Sequence, residues 1–335
     1  MGGRGVTLEH SAHLVCPDCH SRLEIPGSEL VCSSCDARYV FENGIADFAR
    51  GRYYDQFDGD ESALGAAQQC GLCNEEEGVT ARIDDYYRPL IERHRRDQGL
   101  PSVRVLDSGC GNGVSVELLQ SETIEAWGND LSALRKWQWR TLENRDRLVV
   151  ADTKRLPFED GFFDIVMSSG VLEHIGVDEI GGAEYSVTPR ADRDEERIAF
   201  VGELLRVTKP SGLLCLDFPN GAFPIDFWHG TVPGGARFHT LSEGFLPKVR
   251  EIRSYLQAAG RYRITARSPR TRLRMRQVGQ HWWGRALRAP MQGVLWLMEQ
   301  PGFRSLAASP LNPYLVLEVR AVDGDLAPTP AYPGP

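Results

Sequence analysis

Along the first 48 residues short apolar pairs alternate with tight polar turns, as in Leu14-Val15 before Cys16-Pro17-Asp18-Cys19 and Leu30-Val31 before Cys32-Ser33-Ser34-Cys35. No helical period runs through them, so a small strand-and-turn unit over 1–48 is predicted. A linker follows, aromatic and acidic around Tyr53, Tyr54, Phe57 and Asp58, and a helical pattern from Thr80 to Arg96 predicts a docking or lid helix within 49–99. From Val103 the pattern changes to strands alternating with helices. Strands are predicted at Val103–Asp107, Ile124–Asn129, Leu148–Ala151, Phe163–Ser168, Gly212–Phe218, Tyr262–Ser268 and Pro313–Val322. Helices are predicted at Val114–Ser121, Ser132–Asn144, Glu195–Thr208 and Ser242–Ala259. This alternation argues for an α/β domain over 100–322 with a Rossmann-like, seven-stranded, doubly wound sheet. The four prolines after Asp323 predict a disordered tail over 323–335.

Composition changes this picture little: 41% apolar and 25% charged residues in 335 are ordinary for a globular chain. No run approaches a membrane span and no signal peptide is evident, so a cytoplasmic protein is expected. The distribution of charge is more informative. The chain has a formal net charge of -8, yet 248–288 holds 12 basic residues and one acidic one. Cysteine is also patterned. Six of eight cysteines form C-x-x-C pairs at 16/19, 32/35 and 70/73. Two such knuckles twelve residues apart supply the four thiolates of a tetrahedral structural zinc site, so Cys16, Cys19, Cys32 and Cys35 are the predicted ligands. Cys70 and Cys73 have no matching pair and are read as free thiols.

The chemistry concentrates after the first strand of the α/β domain. Asp107-Ser108-Gly109-Cys110-Gly111-Asn112-Gly113 joins strand to helix, and its glycines let the backbone approach a ligand beside a helix N-terminus. Val114 stands where the nicotinamide fingerprint needs its third glycine. Asp130 closes the second strand, where a carboxylate can accept both hydroxyls of a ribose, and Asp152-Thr153 follows the third.

This series, continued by Leu156-Pro157-Phe158, Phe163-Asp164-Ile165-Val166, Val171-Leu172-Glu173-His174 and the stretch from Leu205 to Gly212, resembles the class I S-adenosylmethionine-dependent methyltransferases. The resemblance implies S-adenosylmethionine as cofactor. It would place Asp107, Gly109, Gly111 and Gly113 around the methionine part, Asp130 with Leu131 at the ribose, Asp152 and Thr153 at the adenine, and Ser168 near the sulfonium. The first 48 residues are similar to the small zinc-ribbon proteins and domains that accompany or activate tRNA and release-factor methyltransferases. Similar ribbons are also fused to methyltransferases, one of them an rRNA guanine methyltransferase.

Insertions after the fourth, fifth and sixth strands, at 175–194, 219–241 and 269–311, are expected to shape the acceptor pocket. His174, His229 and His239 are candidate general bases, with Asp226 a lesser one. The implied activity is methyl transfer to a small molecule, most readily O-methylation of a sugar-containing or other specialised metabolite. An RNA substrate gripped by the ribbon and 248–288 is the alternative, and a non-catalytic zinc-ribbon scaffold is a third reading. Against RNA, 14–48 has two arginines and six carboxylates, poor for counterion release. The aromatic and basic stretch 281–298 could pack on its own domain or touch a membrane surface. Acceptor atom and oligomeric state are left open.

Overall fold

The computed structural model describes residues 13–60, 76–180, 186–229, 236–270 and 282–322. Cys70 and Cys73, the tail over 323–335 and part of each of the three insertions lie outside the described residues. The chain divides into two compact units, one of 1–167 with 203–212 and one of 168–202 with 213–335.

In the first unit the ribbon is built from β1 (Leu23–Glu24), β2 (Glu29–Cys32), β3 (Arg38–Glu42) and β4 (Ile45–Asp47), each antiparallel to the next. The α/β part contributes β5 (Val103–Ser108), β6 (Ile124–Asp130), β7 (Leu148–Val150) and β8 (Phe163–Ser169). Within this unit the strand order is β1-β2-β3-β4-β7-β6-β5-β8. The pairs β7/β6, β6/β5 and β5/β8 are parallel, and the near-continuous apolar runs of these strands suit burial on both faces.

The ribbon is not a separate appendage, which its sequence alone would suggest. Its last strand, β4, runs parallel to β7 through Ala46 opposite Val149 and Asp47 opposite Val150, and Phe48 N–H donates to Val150 O at 2.7 Å. At its start Val15 N–H donates to Pro157 O at 3.0 Å. Asp47 is buried and receives the Lys136 ammonium at 2.6 Å and the Tyr53 hydroxyl at 2.6 Å.

The stretch expected as a linker is anchored too. Tyr54 N–H donates to Leu131 O at 3.1 Å, and Phe57 packs edge-on against Trp137. A helix then spans 76–97, with a π-helical stretch at Ile83–Tyr87 running into α1 (Arg88–Asp97). It covers the predicted helical segment. Between the strands lie α2 (Val114–Leu119) and α3 (Ala133–Trp139), the latter shorter than the sequence pattern suggests.

The second unit contains a hairpin where the sequence predicts a loop insertion, β9 (Val177–Ile180) with β10 (Ser186–Pro189). Next come α4 (Arg193–Val207) and β11 (Thr208–Pro219), of which 203–212 belong to the first unit, and the short antiparallel pair β12 (Ile225–Asp226) and β13 (Arg237–Phe238). α5 (Val249–Ala259) begins later than predicted, behind a Lys248–Glu251 cap. β14 (Tyr262–Arg267), α6 (Trp282–Leu297) and β15 (Tyr314–Ala321) complete the chain. Here β15 is antiparallel to both β11 and β14. All seven strands expected of a Rossmann-like methyltransferase sheet are therefore present. No helix among the described residues is long and apolar enough to cross a membrane.

Breaking a buried ion pair leaves one charge uncompensated. Asp47→Ala is accordingly expected to cost about 3–5 kcal/mol in urea unfolding, whereas Asp47→Ala combined with Lys136→Met recovers part of that loss.

Candidate active site

The four ribbon cysteines converge on one point. Sγ atoms of Cys16 and Cys35 are 3.7 Å apart, those of Cys19 and Cys32 3.4 Å, and those of Cys19 and Cys35 3.5 Å. A tetrahedral zinc–thiolate site with bonds of about 2.3 Å separates its sulfurs by about 3.8 Å, so the set fits zinc. All four ligands are protein, which makes the site structural. Tyr39 O–H reaches Cys16 Sγ at 3.2 Å, and Arg50 bridges Tyr39 and Asp18, supporting the knuckle from outside.

The glycine loop forms a cradle at the carboxyl end of β5. Gly109, Gly111 and Gly113 have φ of 79°, 56° and 78°, the left-handed region that favours glycine. At Gly113 a Cβ would also collide with Leu142, Leu148 and Trp139 at 2.9–3.0 Å. The loop is pinned from three sides. Gly109 and Cys110 donate their N–H groups to Asn129 O at 2.9 Å, Trp139 Nε1 donates to Gly111 O at 2.9 Å, and Gly111 N–H donates to Asp130 Oδ2 at 3.0 Å.

Asp130 is buried, and its second oxygen, Oδ1, has no hydrogen-bond partner. Burial pushes its carboxyl up to about 6, against the opposing effects of the Gly111 N–H and the Arg135 charge. A buried carboxylate with one oxygen unengaged at the end of the second strand is what a ribose diol would satisfy, so the residues fit an adenosine-bearing cofactor. Asp107, also buried, faces Arg82 of the 76–97 helix across 3.6 Å. Leu131 enters through its backbone carbonyl, as described for Tyr54. Asp152 Oδ1 accepts from Lys154 N–H at 2.9 Å and shapes its own turn, Thr153 beside it is buried, and Ser168 is buried near the end of β8.

Two neighbours of the cradle escaped the sequence reading. Asp55 accepts the Ser132 hydroxyl and the Ala133 N–H, capping α3 next to Asp130. Ser132 was recognisable as a helix cap, since its Oγ accepts from Arg135 N–H at 3.0 Å. Asp55 lies 77 residues earlier and left no local signal.

The second unit holds all three histidine candidates. His174 ends a 3-10 turn over Leu172–His174, and its Nδ1 meets Glu179 Oε1 of β9 at 2.5 Å. His229 Nδ1 meets Asp226 Oδ2 at 2.9 Å. The two rings stand edge-to-face with centroids 5.2 Å apart, and both pack on Phe245. For His174 burial would favour the neutral ring, but Glu179 and Glu173 outweigh it and raise the pKa. Asp226 is also bound by Arg237 Nε at 3.1 Å, and despite its burial His229 and these donors bring its carboxyl down to about 2. A carboxylate so stabilised orients His229 and is a poor proton acceptor. His239 stands behind this group, with Nδ1 3.2 Å from Thr240 O and 3.9 Å from Glu243, the carboxylate that clasps Arg237.

Glu173 and Arg197 were not foreseen as part of the cluster. Glu173 is buried, its Oε2 has no hydrogen-bond partner, and one ligating atom each of Glu173, His174 and His229 lie within 4.8 Å of one another. Arg197, fully buried on α4, donates to Ile175 O at 3.1 Å, Glu173 O at 3.0 Å and Phe245 O at 2.6 Å, fixing the turn that carries Glu173 and His174.

The basic segment is partly neutralised within its own unit. Arg267 forms a bidentate pair with Glu318 at 2.6 and 2.9 Å, and Arg270 meets Glu299 at 3.0 Å. Of the stretch 281–298, Leu295 and Met298 pack into a cluster with Ala307, while Val294 and Trp296 are exposed.

The glycine cradle and the parallel strands β7-β6-β5-β8 are those of a Rossmann-like methyltransferase fold. Residues 106–216 match the methyltransferase domain family. The chain thus holds a methyltransferase domain over 106–216 and, within its first 48 residues, a four-cysteine cluster that fits structural zinc. No curated protein matches it. Among solved structures it is similar to the plantazolicin methyltransferase BamL, at 11% identity over 75% of this chain and 88% of that one, TM-score 0.45. It is also similar to the complex of the Haloferax volcanii Trm112 methyltransferase activator with a methyltransferase, at 15% over 76% and 96%, TM-score 0.44. A TehB-like methyltransferase from Corynebacterium glutamicum matches at 12% over 77% and 100%, TM-score 0.42. These similarities are too distant to speak for substrate.

Because the folded pKa of Asp130 lies above its ordinary value, folding without cofactor is favoured by this group below about pH 4, and the benefit is lost as pH rises through about 6. Asp130→Asn should therefore stabilise the cofactor-free protein at pH 7.5 by up to about 3 kcal/mol in chemical denaturation. In calorimetry the same change should weaken S-adenosylmethionine binding roughly 10- to 100-fold.

Proposed function

We propose that the enzyme methylates a hydroxyl group of a small molecule, sugar-containing or another specialised metabolite. The observation that carries this reading is the pair of imidazoles, His174 on Glu179 and His229 on Asp226, each with Nδ1 committed to a carboxylate. That arrangement fixes the ring and makes Nε2 the proton acceptor, as ionisation of an acceptor hydroxyl requires. When bound, S-adenosylmethionine supplies an electrophilic methyl on a sulfonium and leaves as the thioether.

The roles then follow from the chain's own groups. The glycine cradle and Asp130 hold the donor, and Asp107 with its Arg82 partner borders the methionine part. Asp152 and Thr153 lie on the adenine side, and Ser168 lies near the sulfonium. The His174–His229 cluster takes the hydroxyl proton as the oxygen bonds to the methyl carbon. Asp226 and Glu179 orient the two rings, and His239 belongs to the network behind them. The described residues of the insertions at 175–194, 219–241 and 269–311 are assigned to the acceptor's surroundings. Internal pairing of Arg267 and Arg270 and the acidic ribbon both weigh against an RNA acceptor.

Incubation with methyl-labelled S-adenosylmethionine and, separately, a panel of glycosides and polyhydroxylated aglycones or bulk RNA tests the proposal. Label is expected in the small molecules. His174→Ala and His229→Ala should each lower kcat by about 10²–10⁴ with cofactor affinity unchanged. Efficient labelling of RNA, or full activity in both variants, would overturn it.

A further inference from the structure

We infer that Glu173, His174 and His229 form a binding site for a divalent first-row transition metal, distinct from the ribbon's thiolate site. Three observations on separate groups point to it. The ligating atoms of the three side chains already lie within 4.8 Å of one another, close enough for a single ion to span. Both imidazoles have Nδ1 on a carboxylate, Glu179 for His174 and Asp226 for His229. This is the carboxylate–histidine–metal arrangement, in which the outer carboxylate sets the tautomer, turns Nε2 toward the ion and strengthens it as a donor. Glu173 supplies the third group: its side chain is 1% exposed, and Oε2 has no hydrogen-bond partner. An uncompensated carboxylate oxygen in that position is costly unless a cation meets it.

The supports of this shell are rigid. Asp226 is itself held by Arg237, Arg237 by Glu243, and the backbone of Glu173 by Arg197. Two imidazoles and one carboxylate suit zinc or iron(II) over calcium or magnesium, and they leave coordination positions open. The half-exposed His174 gives an ion a way in. Binding of the ion stands apart from the proposed methyl transfer. Only its use rests on that reading: with the ion bound, the two Nε2 atoms hold it instead of accepting the proton, a hydroxyl on the ion loses its proton to solvent at lower pH than a free one, and Asp130 and the glycine cradle are not involved.

The test uses the full chain dialysed against excess Zn2+ and then metal-free buffer, with metal counted by elemental analysis. Two equivalents per chain are expected. His174→Ala and Glu173→Gln should each retain one, and Cys32→Ser with Cys35→Ser should lose the other. Replacement by Co2+ gives a second readout, because the thiolate site shows sulfur-to-cobalt charge transfer and the nitrogen–oxygen site only weaker ligand-field bands. Those bands should vanish in His174→Ala, whose half-exposed side chain makes it the variant least prone to misfold. One equivalent in the wild type, or two equivalents unchanged in His174→Ala and Glu173→Gln, would overturn the inference. Failure to label any acceptor, with the second equivalent still present and lost in His174→Ala, would sink the methyl-acceptor reading and leave the metal site standing.

Discussion

The guanidinium of Arg197 lies wholly inside the second unit, and its protons go to main-chain carbonyls of Glu173, Ile175 and Phe245. Burying that cation lowers its pKa, so the fold meets a real desolvation cost. The return is geometric. Three carbonyls from two separated loops converge on one planar group, which fixes the turn bearing Glu173 and His174 and the ring of Phe245 on which both histidines rest. Lysine could not replace it, because a single ammonium lacks the fork that spans carbonyls in different directions. The histidine cluster therefore depends on a residue that touches neither imidazole.

Much of the cofactor half was readable from local signals. Glycines at 109, 111 and 113 announce left-handed backbone, and all three adopt it. Cysteine spacing announced the sulfur cluster, and apolar runs located the strands to within a few residues. These features are short-range, encoded in a handful of neighbouring residues. What escaped is long-range. Asp55 caps a helix that begins 78 residues later, and Glu318 answers Arg267 across 51 residues. Neither could be paired from spacing alone. For the same reason the basic excess over 248–288 offered a grip for RNA, whereas Arg267 and Arg270 within it are matched by carboxylates from β15 and from the residues after α6.

The histidines divide along the same line. Their presence on the loops after the strands was legible, but their functional ranking required knowing which carboxylates they meet. Asp226 illustrates the point, since a candidate base by residue type becomes an orienting anion once Arg237 and His229 surround it. Glu173, hidden in the Leu172-Glu173-His174 turn, gains its meaning from an unengaged oxygen in a buried setting.

The pairing of β4 with β7 makes the zinc ribbon part of the cofactor-binding unit's architecture. In a parallel sheet the outermost strand presents a row of unsatisfied N–H and C=O groups, a template on which another chain can add. Here the ribbon occupies that row along β7, and its four converging sulfurs fit a single zinc ion. Loss of an ion there or oxidation of the thiols would thus do more than melt a small motif: it would uncover a strand border along β7 open to pairing with another chain.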